Sequence, residues 1–208
     1  MKLFFLFLGR VGYICFHLLF TLFDKLRRAV VTGYHTKSMK MVGRGVSIDS
    51  VDTFAGSQYM TLGDYTCIGR RAVITAWDRI GIPEITIGSH VAIGDDCHIT
   101  AVNKIVIGDG VLLGKKVTIT DNSHGSFNNE DLQIPPLHRR VVSKGPVIIG
   151  KNVWLGDKVT VCPGVTIAQG AVVGANSVVT HDIPAFAVVA GVPAHIIRDG
   201  SVTKEKII

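Results

Sequence analysis

The sequence predicts an all-β fold of the parallel β-helix type. It is a solenoid of six-residue repeats with a helix before it, one long excursion loop within it and a short helix at its C-terminal end. Three observations predict this. Beyond residue 84 aliphatic residues recur with a spacing of six, a compact residue follows each of them in the clearest block, and a long interruption of the register separates Ile119 from Val147.

Residues 1–40 form the first unit. The opening MKLFFLFLGRVGYICFHLLFTLF is strongly apolar, but Arg10 splits it into pieces too short to span a bilayer, and no small-residue cleavage site follows. Arg10, His17, Thr21, Asp24 and Arg28 fall on one stripe of an α-helix, which leaves a wide apolar arc. With Lys2 ahead of it and Lys25, Arg27 and Arg28 behind, such a helix suits the surface of an anionic membrane. Packing against the body or in an oligomer suits it equally well.

The solenoid is expected over residues 41–183. Ile149, Leu155, Val161, Ile167, Val173 and Val179 share one register, and Val147, Val153, Val159, Val165, Ala171 and Ser177 stand two places before them. Six residues advance an α-helix by about 240° net, which would scatter these side chains around its surface. A short strand and a tight turn repeated every six residues keep them on one side, with glycine at the strained turn position. Three such sides close a coil, and stacked coils bury a continuous aliphatic column. The register appears again at Ile87, Ile93 and Ile99, at Ile107, Leu113 and Ile119, and more faintly at Leu62, Ile68 and Ile74. Residues 184–208 are expected to supply a closing coil and tail.

The stretch VWLGDKVTVCPGVTI, closing with GANSVVTHDIPAFAVVAGVPAHIIR, resembles the hexapeptide-repeat acyltransferases. Within them it is similar to the branch of galactoside, maltose and antibiotic acetyltransferases and to the sugar O-acetyltransferases of surface-polysaccharide clusters. The resemblance covers roughly residues 85 to 198. It implies a left-handed solenoid, a homotrimer, acetyl-CoA as acyl donor and a sugar acceptor, with no metal.

The candidate site begins where the repeat opens, at DNSHG, into a loop over about 121–145. A loop of that length in a compact domain is usually functional. Histidine at its root is suited to abstracting a proton from an alcohol near neutral pH, and the resemblance implies that His124 is the catalytic base. Asp121 is close enough in sequence to orient the imidazole, and Asn122 to meet the acceptor. For the coenzyme the resemblance implies contacts at Asp157, Ala175, Thr180, His181, His195 and Arg198, with Trp154 bordering the site. Trp154 falls between inward Val153 and Leu155 and so faces out. His98 faces out for the same reason. Asn103 sits where the register slips, and both residues are candidates for hydrogen bonds to a sugar. His124 and Trp154 are expected to border one cleft, with each contributed by a different subunit as one option.

Of 208 residues, 47% are hydrophobic, 18% charged and 23 are glycine, which excludes a disordered or fibrous chain. The net charge of +6 suits coenzyme phosphates and an anionic membrane, and no nucleic-acid motif accompanies it. Cys15, Cys67, Cys97 and Cys162 form no CxxC pair and are read as small buried hydrophobes in a reducing, cytoplasmic setting. An amino-sugar N-acetyltransferase or an antibiotic acetyltransferase is the alternative activity. More remote are a γ-type carbonic anhydrase, whose histidine spacing is not met by His90, His124 and His138, and a non-enzymatic solenoid.

Overall fold

The computed structural model describes residues 2–126 and 128–200. An α-helix, Lys2–Thr36, about 52 Å long at 1.5 Å per residue, leads into a three-faced parallel β-helix. The first face stacks the strands Met41–Val42, Met60–Leu62, Glu84–Ile87, Lys104–Ile107, Val147–Ile149 and Thr166–Ile167. The second stacks Ser47–Ile48, Cys67–Ile68, Ala92–Ile93, Leu112–Leu113, Trp154–Leu155 and Val172–Val173, and ends with Val188–Ala190 and His195–Arg198. The third stacks Val51–Ala55, Ala72–Ala76, His98–Ala101, Thr118–Thr120, Thr160–Val161 and Val178–Val179.

The aliphatic register is the core. Ile149, Leu155, Val161, Ile167, Val173 and Val179 are each at most 1% exposed, and so are Leu62, Ile74, Ile87, Ile99 and Ile107. Val147, Val153, Val159, Val165, Ala171 and Ser177 are buried beside them, so each side of the coil contributes two inward positions. Burial of a Val, Leu or Ile side chain favours the fold by about 1.5–3 kcal/mol, and repeated over six coils this drives the stacking.

Glycine takes the strained turn position at Gly45, Gly110, Gly164 and Gly170, as expected, but most corner glycines do a second task. In turn after turn the left-handed conformation belongs to the residue two places later, as at Tyr65, Asp96, Lys116, Asn152 and Asn176. The glycine is needed because coils stack too closely for a side chain. A Cβ on Gly94 would lie 2.5 Å from the Gly114 carbonyl oxygen, and one on Gly108 2.7 Å from the Lys151 nitrogen. The aspartate that follows several of these glycines stitches coils together. The carboxylates of Asp64, Asp95, Asp109 and Asp157 accept the backbone N–H of Arg44, Arg70, Ser89 and Lys115 in the coil before, at 2.7–2.9 Å.

The three edges of the prism are unequal. From first face to second the link is always four residues: 43–46, 63–66, 88–91, 108–111, 150–153 and 168–171. From third face back to first it varies, through 56–59, 77–83, 102–103, 121–146 and 162–165. Every long interruption therefore leaves the body along one edge.

Among the described side chains, those in the C-terminal part of the helix rest on the body. Arg27 donates to the Asp49 carbonyl at 2.7 Å and to its carboxylate, Arg28 and Arg70 approach that carboxylate at 3.6 and 3.5 Å, and Thr32 Oγ1 accepts the Ile48 N–H at 2.8 Å. Along the predicted polar stripe, Thr21 donates to the His17 carbonyl and Arg28 to Asp24; the side chain of Arg10 lies outside the described residues. Away from the body Phe16, Leu19, Phe20, Leu22, Phe23 and Leu26 are 60–69% exposed. Among the described residues no helix is long and apolar enough to cross a membrane.

Two expectations are corrected here. His195–Arg198 is not helical: it returns antiparallel to Val188–Ala190 as the last strand of the second face, since the turn at residues 191–194 reverses the chain onto an open sheet edge. Of the cysteines only Cys97 is fully buried; Cys162 is half-buried, and Cys15 and Cys67 face solvent, on the helix and on the outward side of the strand Cys67–Ile68.

Candidate functional site

The longest interruption is a folded arm. Residues Asn122–His124 run antiparallel to Val141–Ser143, pairing Asn122 with Ser143 and His124 with Val141. Between them lie a helical turn, Asn129–Leu132, capped by the Asn128 side chain, and a 3-10 turn, Pro136–His138. Ser126 donates its N–H and its hydroxyl to Asp131, both at 2.6 Å, and Arg139 Nε donates to the Ile134 carbonyl at 2.8 Å. These local bonds give the arm shape without a core of its own.

Asp121 roots the arm. It is fully buried, its Oδ1 accepting the Val102 N–H at 2.9 Å and the Asn122 amide at 3.0 Å, and its Oδ2 accepting the Asn103 N–H at 2.8 Å. The carboxylate is spent on the corner beneath it and does not orient His124. Alternation explains this, because Ile119 and Asp121 point inward while Thr120 and Asn122 do not. Asn103 is likewise structural. Its carbonyl accepts the Glu84 N–H at 2.8 Å and its side chain reaches Ser143 Oγ at 3.5 Å, tying the returning strand of the arm to the corner.

His124 is exposed and lines a cleft of about 650 Å³ between the third face and the arm. His98 and Asn122 line it too. His98 projects outward in register with Thr118 above and Val73 below, and the Asn122 amide is steadied by the Thr100 carbonyl at 3.3 Å. Three of the proposed site residues are thus brought together. The remaining wall holds residues that the sequence reading passed over: Trp77 and Arg79 from the 77–83 link, and Leu137, Arg139 and Arg140 from the arm. Their signal was available, since the register also fails between Ile74 and Ile87, at AWDRIGIPE, on the edge that later opens at DNSHG.

Trp154 belongs elsewhere. It is 52% exposed and lines a second cleft, of about 360 Å³, with Asp157 and Ala175. Trp154 pairs with Val172, Val172 with Val188, and Val188 with Arg198. The tryptophan and the arginine therefore stand in one column of the second face, about 14 Å apart at the usual strand spacing. His195 is exposed on the same returning strand, whereas Thr180 and His181 lie on the variable edge, joined by a 2.8 Å bond between Oγ1 and Nδ1. In a three-sided coil the second face lies opposite the edge between third and first. Within one chain His124 and Trp154 are on opposite sides of the prism, so the expectation of a shared cleft fails for a single copy.

Comparison with known proteins agrees with the geometry. A family model described as bacterial transferase hexapeptide (six repeats) matches residues 146–181. The "Putative lipopolysaccharide biosynthesis O-acetyl transferase WbbJ" of Escherichia coli (strain K12) is 45% identical over 125 residues, covering 58% of this chain and 63% of that one. The "Putative colanic acid biosynthesis acetyltransferase WcaF" of the same strain is 33% identical over 133 residues, covering 64% of this chain and 68% of its own. The chain belongs to the hexapeptide-repeat acyltransferases. A family member from Vibrio cholerae O1 biovar eltor, the hexapeptide-repeat acetyltransferase VCA0836, was solved in complex with acetyl coenzyme A. It superposes with a TM-score of 0.52 at 25% identity, over 83% of this chain and 77% of that one. The hexapeptide-repeat fold is a left-handed β-helix, which supplies the hand of the coils described above. The chain spans between about half and two thirds of the length of the first curated relatives it matches. Among the described residues no group of three or more His, Cys, Asp or Glu is placed to hold a metal ion.

Proposed function

We propose that this hexapeptide-repeat protein transfers acetyl from acetyl-CoA to a sugar hydroxyl during surface polysaccharide synthesis. The observation that carries the proposal is the placing of His124: an exposed imidazole on a two-stranded arm at the mouth of a cleft large enough for a sugar. The names of WbbJ and WcaF, two relatives concerned with cell-surface polysaccharides, support the choice of acceptor.

His124 accepts the proton of the acceptor hydroxyl as its oxygen attacks the thioester carbonyl. The tetrahedral oxyanion collapses, the carbon–sulfur bond breaks, and the imidazolium returns its proton to the departing thiolate, leaving an acetyl ester and free CoA. His98 and Asn122 hold the acceptor from the floor of the cleft. The coenzyme lies along the column from Trp154 to Arg198, with the guanidinium on a phosphate. Because that column and His124 are on opposite sides of one chain, the working site takes His124 from one copy and Trp154 from a second, as a homotrimer provides. The assembly works at the cytoplasmic surface of the cell membrane, within reach of membrane-linked glycans, a reading that the apolar arc of the N-terminal helix supports.

The test is release of CoA thiol from acetyl-CoA across a panel of sugar acceptors, with wild type and His124→Ala. Loss of a general base lowers kcat by about 10²–10⁴-fold. Full activity of the variant on a true acceptor would end the assignment of His124 as the base.

A further inference from the structure

The cleft beside His124 has a one-sided electrostatic lining. Arg79, Arg139 and Arg140 face it along with His98 and His124, and among the described residues no carboxylate does. Elsewhere on the chain Arg27, Arg28, Arg44, Arg70 and Arg71 each stand within 4 Å of an aspartate. Arg139 is engaged with the Ile134 carbonyl and its charge also acts on the Asp131 carboxylate of the arm, which leaves Arg79 and Arg140 as the cations of the cleft without a counter-charge among the described residues. The guanidiniums of Arg79 and Arg140 make neither an ion pair nor a hydrogen bond with any described residue. They come from two different links, the second and fourth along the variable edge, so their meeting over one cavity is a product of the fold and not of adjacent sequence.

Convergent cations without a counter-charge repel one another, and the arrangement becomes favourable when an anion binds. The threonines, His98 and Asn122 of the same wall serve the donors and acceptors of sugar hydroxyls, whereas the guanidiniums, which only donate, are matched by an anion. The aromatic component is also present. Trp77, 41% exposed, lies on the same link as Arg79 and offers a flat apolar surface to a ring.

Resting on the acetyltransferase assignment, we infer that the acceptor carries a phosphate or diphosphate, held by Arg79 and Arg140 while Trp77 packs against a ring of the acceptor. Two guanidiniums match a diphosphate in charge and in bidentate geometry. Such a group is carried both by nucleotide sugars and by lipid-linked sugars. The cleft extends down to Thr53 in the first coil, the same coil on which the N-terminal helix rests, so an acceptor of either source reaches it.

The experiment needs no knowledge of the sugar. Binding of inorganic diphosphate, uridine diphosphate and farnesyl diphosphate is measured by calorimetry on full-length wild type, Arg79→Gln, Arg140→Gln and the double variant, with Lys116→Gln as a remote basic control. The inference expects binding of inorganic diphosphate that weakens about tenfold in each single variant, is lost in the double and is unchanged in the control. A tenfold preference for the uridine or the farnesyl compound then names the source. Absence of diphosphate binding to wild type, or equal binding by all variants, overturns the inference. Diphosphate binding is independent of acetyl transfer, so absence of CoA thiol release by wild type on every acceptor would remove the enzyme assignment while leaving this readout standing. If the acetyltransferase assignment holds, the double variant raises KM for phosphorylated acceptors and leaves kcat nearly unchanged.

Discussion

At the scale of single residues the arm depends on a buried charge. Asp121 holds two backbone N–H groups and one side-chain amide with no cation beside it. Asn in its place keeps one acceptor and sets an amide donor against an N–H, and hydrogen bonds to a charged group contribute about 1.5–3 kcal/mol. Asp121→Asn is therefore expected to lower Tm by several degrees, at about 2–4 °C per kcal/mol for a chain of this size, and to speed proteolysis between residues 126 and 140. A melting curve coincident with wild type would show that the root of the arm does not need the charge. The error over Asp121 is instructive, because nearness in sequence suggested a partner for His124 where alternation already put the two on different sides. The same alternation correctly sent His98 and Trp154 outward. Trp77 and Arg79 on one link and Arg140 on another escaped notice because only the closed coil brings the two links to one cleft.

At the scale of elements the six-residue period carried most of the fold, since it lists the inward positions of all three faces. Periodicity says nothing about why glycine stands at the corners. Its role, making room for the coil above, appears only when coils are stacked. The expected C-terminal helix fails over the described residues for another reason: a segment as short as His195–Arg198 is too brief for periodicity to separate helix from strand, and an unpaired sheet edge draws it into a strand. The N-terminal helix was legible in extent and in its polar stripe, and its docking through Asp49 was not. With its arc of phenylalanine and leucine facing away from the body, the helix is expected to bring the protein down with sedimented vesicles containing anionic lipid. Phe16→Asp with Phe20→Asp should reduce that fraction at least tenfold while leaving the far-ultraviolet spectrum unchanged. Equal sedimentation would assign the apolar arc to contacts between copies.

At the scale of the whole molecule, carboxylates link one coil to the next. The Arg44 backbone N–H, then its guanidinium, hold Asp64 below the ordinary carboxylate value of 3.8, and the Arg71 guanidinium does the same for Asp96. Glu84 is lowered from 4.5 by the Thr86 hydroxyl and by Lys104. A lowered folded-state value means that the unfolded chain binds protons first. The stabilisation is complete above about pH 5 and is lost as pH falls below 3.8 through the folded-state values. Thermal midpoints measured from pH 5 to pH 2.5 should fall, and Arg71→Gln should flatten part of that fall. These groups are solvent-exposed, so high salt is expected to shrink the effect. The unequal edges of the prism have a consequence on a longer timescale. Links of a constant four residues leave two adjacent faces no freedom to gain or lose length, whereas the edge bearing His124 already accommodates links from two residues to twenty-six. Insertion and deletion are absorbed at that edge while the stacked scaffold is inherited intact. On the proposed function, descendants of such a chain can therefore change their acceptor by rewriting one seam, and exchanging links 77–83 and 121–146 between relatives is the shortest route to a new one.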